Sequence, residues 1–120
     1  MNGTGPQQEQ AGERLIGEDP LLAQVVARLV EAYRPERIFL FGSKARGEGG
    51  PDSDYDLLVV VEVSGEPPYR RAQRAQEVLW GIWAAADVLV LTRKEFEAGR
   101  DVPASLPATV LAEGRCLYAA

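Results

Sequence analysis

The chain reads FGSKARG at residues 41–47 and SDYDLLVV at residues 53–60, and these two segments hold its strongest structural signal. The run of β-branched and aromatic residues at 37–41 predicts a strand that leads into the first segment. Gly42 ends that strand, and Ser43 is a suitable N-cap for the short basic helix that follows. A glycine turn that enters a helix exposes backbone N–H groups and the positive end of the helix dipole, so it favours phosphate binding.

Two carboxylates, Asp54 and Asp56, stand at the head of the second segment. Residues two apart in a strand face the same way, so both carboxylates are expected on one side. The apolar run at residues 57–61 predicts a strand that is buried on both faces. Hard oxygen ligands on one face suit Mg²⁺ bridged to phosphate oxygens. A lone Asp-x-Asp is usually a solvated turn, but its combination with the glycine turn predicts a nucleotide site.

A third carboxylate, Asp87, lies near the start of another apolar run, residues 84–91, which predicts a further buried strand. An unpaired carboxylate is costly to bury among apolar neighbours. We therefore expect Asp87 to face Asp54 and Asp56 from an adjacent strand and to share a cation with them. The alternative interpretation places Asp87 in the turn that precedes the strand.

Helical patterns surround these strands. Asp19 as N-cap and Pro20 at the first helical position predict the start of a helix, with an apolar stripe over residues 22–33. A second helix is predicted over residues 68–83, with Trp83 on its apolar face. Three basic side chains cluster near the start of this helix: Arg70, Arg71 and Arg74. We interpret them as a solvated face, the alternative being contact with a partner or with nucleotide phosphates.

The last part of the chain predicts two short helices and a strand. Thr92 and Glu95 have the spacing of a capping box, which predicts a helix directly after the strand that carries Asp87. Residues 108–113 are predicted to be helical, and residues 115–118 to form a final strand.

These elements predict an α+β fold (α/β mixed), with a small mixed sheet and helices packed on one side. The link between the first two strands is short, so they are expected to be antiparallel. The helix over residues 68–83 is expected to cross over between the second and third strands. Residues 1–18 are rich in Gly, Gln and Glu and are interpreted as a flexible N-terminal tail, while residues 19–120 form a single domain.

Composition narrows the function classes. The chain has 120 residues, which suits one compact domain, and a net charge of -5, which argues against nucleic acid as the main substrate. It contains no histidine, so a Ser-His-Asp triad, a His-ligated zinc and a His general base are excluded. The single cysteine, Cys116, excludes an internal disulfide and is expected to be buried. No membrane span or signal peptide is visible, so a cytoplasmic location is the default expectation.

The order of strand, Gly42-Ser43 turn, basic helical turn, Ser-Asp-x-Asp and second strand resembles the signature of the polymerase-beta-like nucleotidyltransferase superfamily. In a chain this short it resembles the minimal nucleotidyltransferases, from the first helix to the last strand. The resemblance implies the polymerase-beta-like catalytic fold and a third acidic residue on the strand after the intervening helix. Asp87 occupies that position in this sequence.

The resemblance also implies a reaction and roles for the site residues. ATP would lay its β- and γ-phosphates on Gly42 and Ser43, and Mg²⁺, two ions in all, would be held by the three aspartates. Attack of a hydroxyl on the α-phosphorus would transfer AMP and release pyrophosphate. Lys44 or Arg46 would neutralise charge on the leaving group, unless Arg46 instead makes a structural bond to the loop; the residues leave both roles open.

The resemblance also implies an acceptor. The minimal nucleotidyltransferases are commonly paired, as antitoxin and toxin, with a small helical HEPN (higher eukaryotes and prokaryotes nucleotide-binding) protein, and can transfer AMP to a hydroxyl of that partner. The residues after Asp56 are needed to finish the core, so we expect a second chain to complete the acceptor site. Two alternatives stay open: a non-catalytic antitoxin or binding module, and a transferase acting on a small molecule such as an aminoglycoside. Base preference and homo-oligomer formation are equally open.

Overall fold

The protein is described from a computed structural model that covers residues 6–48, 50 and 54–120, with backbone only for residues 6–11. Within these residues the sheet has four strands: β1 Arg37–Phe41, β2 Tyr55–Val61, β3 Ala86–Thr92 and β4 Arg115–Ala119. The helices of the described residues are α1 Pro6–Glu18, α2 Pro20–Tyr33, α3 Gly42–Ala45, α4 Pro68–Val78, α5 Arg93–Gly99 and α6 Leu106–Glu113. None of these helices is long and apolar enough to cross a membrane.

The sheet is mixed and has the strand order β3-β2-β1-β4. Strand β1 pairs antiparallel with both β2 and β4, and β2 pairs parallel with β3. A parallel pair needs a crossover connection, and α4 supplies it. The predicted α+β class, the antiparallel first pair and the crossover helix are therefore confirmed.

The predicted layering, with helices on one side of the sheet, is wrong. Along β2, Leu57 and Val59 belong to a core cluster shared with α2 and α4. Leu58 and Val60 belong to a second cluster, in which they meet α5 and α6. Successive strand residues point to opposite faces, so helices cover both faces of the sheet. A strand that is apolar on both sides requires this cover, because bare apolar area in water is unfavourable.

The expectation of a flexible tail over residues 1–18 is also wrong where the structure describes that segment. Helix α1 packs against β4, and a Cβ atom built at Gly12 would overlap the backbone carbonyl of Cys116. Leu15 and Ile16 pack against the core cluster on the α2 side. Gly12, Leu15 and Ile16 follow the i, i+3, i+4 spacing of a helix face, within a segment that is otherwise polar. Residues 1–5 lie outside the described residues.

Two further boundaries differ from expectation around the start of β3. Helix α4 ends at Val78 instead of continuing to Trp83, and Gly81 adopts a φ of 92° in the turn that follows. Strand β3 begins at Ala86 instead of residue 84, and its two faces are unequally covered, since Val88 is buried whereas Leu89 is 42% exposed.

Arg71 is buried rather than part of a solvated basic face. Its guanidinium donates to both carboxylate oxygens of Glu95, at 2.7 and 3.0 Å, and to the backbone carbonyls of Glu66 at 2.9 Å and Val90 at 2.8 Å. Glu95 also completes the predicted capping box with Thr92, which is confirmed. This ion pair therefore joins α4, β3 and α5.

The Arg71–Glu95 pair predicts an acid-sensitive contribution to stability. Hydrogen bonds from Arg71 and Thr92 lower the pKa of Glu95 from 4.5 to about 2. A carboxylate with a lowered folded-state pKa stabilises the fold fully above its unfolded pKa, and this contribution is lost as the pH falls from about 4.5 towards 2. Glu95→Gln should therefore have a lower free energy of unfolding at neutral pH and a shallower loss over that pH window, as measured by urea denaturation.

Glu31→Gln removes an exposed carboxylate of α2 and serves as the control. It should retain the parent's slope of unfolding free energy against pH. A Glu95→Gln variant with the parent's slope as well would show that the Arg71 pair does not produce the acid sensitivity.

Candidate active site

Asp56 and Asp87 lie side by side at the end of the sheet where β1 ends and β2 and β3 begin. The strand register pairs Phe41 with Asp56, and Asp56 with Asp87. Directly paired residues of neighbouring strands point to the same face, so the three side chains form one row. Asp54 is exposed and lies just before β2, two residues from Asp56.

The three carboxylates form one electrostatic cluster. Partial burial raises the pKa of Asp56, and the negative charges of Asp87 and Asp54 raise it further. Like charges that crowd a partly desolvated carboxylate disfavour its ionised form. A cation bound among them would offset this repulsion.

The three side chains offer hard carboxylate oxygens, which are the donors that Mg²⁺ prefers. Within the described residues, however, no group of three His, Cys, Asp or Glu side chains is arranged to hold a metal ion. Asp54 and Asp87 are exposed while Asp56 is half-buried. One ion could therefore be held by all three carboxylates only after their side chains change position.

Gly42 brings the backbone directly against Asp56. Its φ is 75°, and a Cβ atom at this position would overlap the Asp56 carboxylate. Both facts exclude a side chain without strain. The turn expected to hold phosphates thus lies in contact with a carboxylate expected to hold metal.

The sequence suggested Ser43 as the N-cap of the short helix, and this prediction is wrong. Helix α3 begins at Gly42 and its N-cap is Phe41, which makes no side-chain cap hydrogen bond. The positive φ of Gly42 turns the chain one residue earlier than a serine cap would require. Ser43 consequently sits in the first turn, next to Gly42 and half-buried.

Lys44 is held beside the turn by two contacts. Its ammonium donates to the carbonyl of Gly50 at 3.3 Å and lies 4.7 Å from the centre of the Tyr55 ring. The Tyr55 hydroxyl donates to Asp19 at 2.7 Å, and the other oxygen of Asp19 accepts from the backbone N–H of Leu22 at the start of α2. Burial and this hydrogen bond raise the pKa of Tyr55 to about 12.

Sequence reasoning missed Tyr55 as a supporting residue of the site. The signal available was its place between two aspartates: strand alternation puts it on the opposite face, where it is buried against the α2 side. Its aromatic ring then lies under the basic turn, which links α3 to α2.

Arg46 is placed differently from Lys44. Its guanidinium is 3.1 Å from a carboxylate oxygen of Glu48 and 3.5 Å from one of Glu113, with 43% of the side chain exposed. These contacts tie the end of α3 to the following loop and to the end of α6. They favour the structural role for Arg46 that the sequence had left open.

A hollow opens beside the row of carboxylates. It has a volume of about 490 Å³, and its walls include Asp56 and Asp87 together with the apolar side chains of Phe41 and Leu89. Gln76 of α4 closes another side. The volume falls within the range of small-molecule sites, roughly 300–1,000 Å³, so the hollow is large enough for a small ligand next to the carboxylates.

Comparisons with known proteins identify the family of the chain. Among solved structures, a candidate nucleotidyltransferase from Sulfolobus solfataricus superposes with a TM-score of 0.53 at 23% identity, over 80% of this chain and 83% of that one. A toxin–antitoxin structure with AMP-PNP gives a TM-score of 0.48 at 21% identity, over 81% of this chain and 73% of that one. No curated protein matches the chain. The family described as "Nucleotidyltransferase domain" matches residues 22–111, which include every candidate site residue, and the chain therefore belongs to that family.

Proposed function

We propose that this protein transfers a nucleoside monophosphate, AMP from ATP, to a hydroxyl group in a Mg²⁺-dependent reaction. The observation that carries the proposal is the pairing of Asp56 with Asp87 at the sheet edge, directly against the Gly42 turn. Membership of the nucleotidyltransferase family supports the reaction class. The clustering of the three carboxylates also supports the proposal, because a cation bound among them would offset the repulsion of Asp87 and Asp54 on Asp56.

The proposed role of each site residue follows from its position. Asp54, Asp56 and Asp87 would hold Mg²⁺, which when bound supplies charge neutralisation for the phosphates and for the attacking oxygen. Gly42 and Ser43 would place their backbone N–H groups, and the Ser43 hydroxyl, against the β- and γ-phosphates. A backbone without a side chain at Gly42 allows the triphosphate to approach Asp56 closely.

Asp87 is the proposed proton acceptor. It lies on edge strand β3 and is exposed, with the hollow beside it. The acceptor hydroxyl would give its proton to this carboxylate while its oxygen bonds to the α-phosphorus. The bond from the α-phosphorus to the bridging oxygen then breaks, and pyrophosphate leaves.

Lys44 is the proposed counter-charge for the departing pyrophosphate. It occupies the turn next to Ser43, and Tyr55 and Gly50 already hold its ammonium there. Fixing a charge before the substrate arrives lowers the cost of reorganisation in the reaction. Arg46 would contribute by keeping the turn and its loop in place.

The proposed acceptor is a hydroxyl on a partner protein, of the small helical HEPN type, so that the chain acts as an antitoxin in the cytoplasm. The resemblance to the minimal nucleotidyltransferases supports this, as does a net charge of -5, which disfavours nucleic acid.

The proposal is tested by label transfer from ATP labelled at the α-phosphate to a co-expressed partner. Labelling by the parent, lost in Asp54→Ala, supports it. Partner binding without labelling would indicate a non-catalytic binding module, and labelling of an aminoglycoside a small-molecule transferase.

Nucleotide binding should depend on the metal. Calorimetric titration with ATP should show clearly tighter binding with Mg²⁺ than without it, because the ion offsets repulsion between the phosphates and the carboxylates. The Asp54→Asn, Asp56→Asn double variant should lose this difference. Glu62→Gln, which removes an exposed charge at the opposite end of β2, is the control and should behave like the parent. Equal affinity with and without Mg²⁺ in the parent would contradict the site.

Asp87 should serve the chemical step more than nucleotide binding. Asp87→Asn preserves the side-chain shape and removes the charge. With the acceptor supplied, the variant should bind Mg²⁺–ATP nearly as tightly as the parent but transfer AMP at least about a hundredfold more slowly, the low end of general-base contributions. Only interactions that strengthen in the transition state accelerate the step. Turnover at the parent rate would remove Asp87 from the mechanism.

A further inference from the structure

Two tryptophans lie almost fully in solvent close to the candidate site. Trp80 is 85% exposed and Trp83 is 96% exposed, both in the connection between α4 and β3. Tryptophan is highly buried on average in proteins. It is also enriched in the cores of protein–protein interfaces and among the residues that dominate their affinity. Two such side chains within four residues therefore mark a candidate contact surface.

The connection that displays them is held in place by the rest of the fold. Arg28 of α2 donates to the backbone carbonyls of Val78, at 3.0 Å, and of Trp80, at 3.3 Å. Leu79 is buried, and Ile82 packs against the same core cluster. Residues packed in the core, Leu79 and Ile82, thus alternate along the connection with the two exposed tryptophans. A rigid display lowers the entropic cost of binding a partner.

The tryptophan surface is continuous with the candidate active site. A hollow of about 400 Å³ is lined by both tryptophans and by Gln76, which also lines the hollow beside Asp56 and Asp87. The Gln76 amide donates to the carbonyl of Ala86 at 2.9 Å, one residue before Asp87. Trp83 and Asp87 are four positions apart in the chain, a span of at most ~14 Å when the chain is extended. An occupant of this surface therefore reaches the side of the site where the acceptor hydroxyl is expected.

The area involved fits a protein better than a metabolite. Burying two tryptophans would remove roughly 300–500 Å² from water. One side of a standard protein–protein interface buries about 800 Å², so the pair would supply about half of it.

We propose that Trp80 and Trp83 anchor a partner protein that presents a Ser, Thr or Tyr hydroxyl to Asp87. The partner would carry apolar pockets for the two indole rings beside that hydroxyl. This inference rests on the proposed transferase function and names the surface that selects its acceptor.

The test uses the full chain and the protein that the parent labels from α-phosphate-labelled ATP in a lysate of its own source cells, purified in unlabelled form. In Trp80→Ala, Trp83→Ala and the double variant, KM for that acceptor protein should rise at least about tenfold. The affinity for Mg²⁺–ATP and the rate at saturating acceptor should stay near the parent values. Trp80→Phe and Trp83→Phe should recover much of the affinity, since an aromatic ring remains. Val63→Ala, at a residue that is 80% exposed in the connection after β2, is the matched control.

Three outcomes overturn the inference, and they are distinguishable. An unchanged KM in the alanine variants overturns the docking surface and leaves the proposed transferase function intact. The docking surface is also overturned if the parent is dimeric by light scattering while the double variant is monomeric with an unchanged KM. A second copy of the chain would then occupy the surface. Absence of label transfer to any protein by the parent overturns the proposed function, and the docking surface with it.

Discussion

The register between β2 and β3 is the constraint on which the candidate site depends. It sets Asp56 beside Asp87, and a slip of one residue would turn Asp87 to the opposite face. Helix α4 holds β3 from outside the sheet. Gln76 binds the carbonyl of Ala86 near one end of β3, and Arg71 binds that of Val90 near the other. Helix α4 thus covers part of the core and binds two backbone carbonyls of β3, the edge strand that carries Asp87.

The site combines this rigid frame with unfavourable local electrostatics. Asp56 is backed by an apolar strand that is buried on both faces, and two further carboxylates act on it. Such a cluster is unfavourable in the absence of a cation, so the frame must hold it in place. The contact with Gly42 adds a second constraint, because it allows no side chain between the turn and Asp56. The fold would be more stable with fewer negative charges beside Asp56, whereas the proposed function needs all three carboxylates there.

Local signals in the sequence predicted much of the fold. Strand β1, the start of α2 at Asp19 and the Thr92 capping box each depend on neighbours in sequence, and each was found in the expected place. Features that depend on distant partners were missed. The short apolar face of α1 packs on β4, near the other end of the chain, as well as on the α2 side of the core, and the burial of Arg71 requires Glu95.

The same division applies to the candidate site. The types and spacing of Asp54, Asp56 and Asp87 were visible in the sequence, because strand alternation and a buried strand are local patterns. The contacts of the basic turn were not. Arg46 meets Glu113 at the end of α6, and Lys44 rests on Tyr55, whose hydroxyl reaches α2. Only the packed sheet and its helices bring these groups together.

The central claim is that a metal–nucleotide complex binds where the Gly42 turn meets the carboxylate row. Paramagnetic broadening by Mn²⁺, added with a non-hydrolysable ATP analogue, would locate the metal through the backbone amide signals of the labelled protein. The account predicts the strongest broadening at Gly42, Asp56 and Asp87, with little effect at Glu66 or Arg71 near the opposite end of the sheet. Broadening centred on those distant residues, or no localised broadening at all, would contradict it.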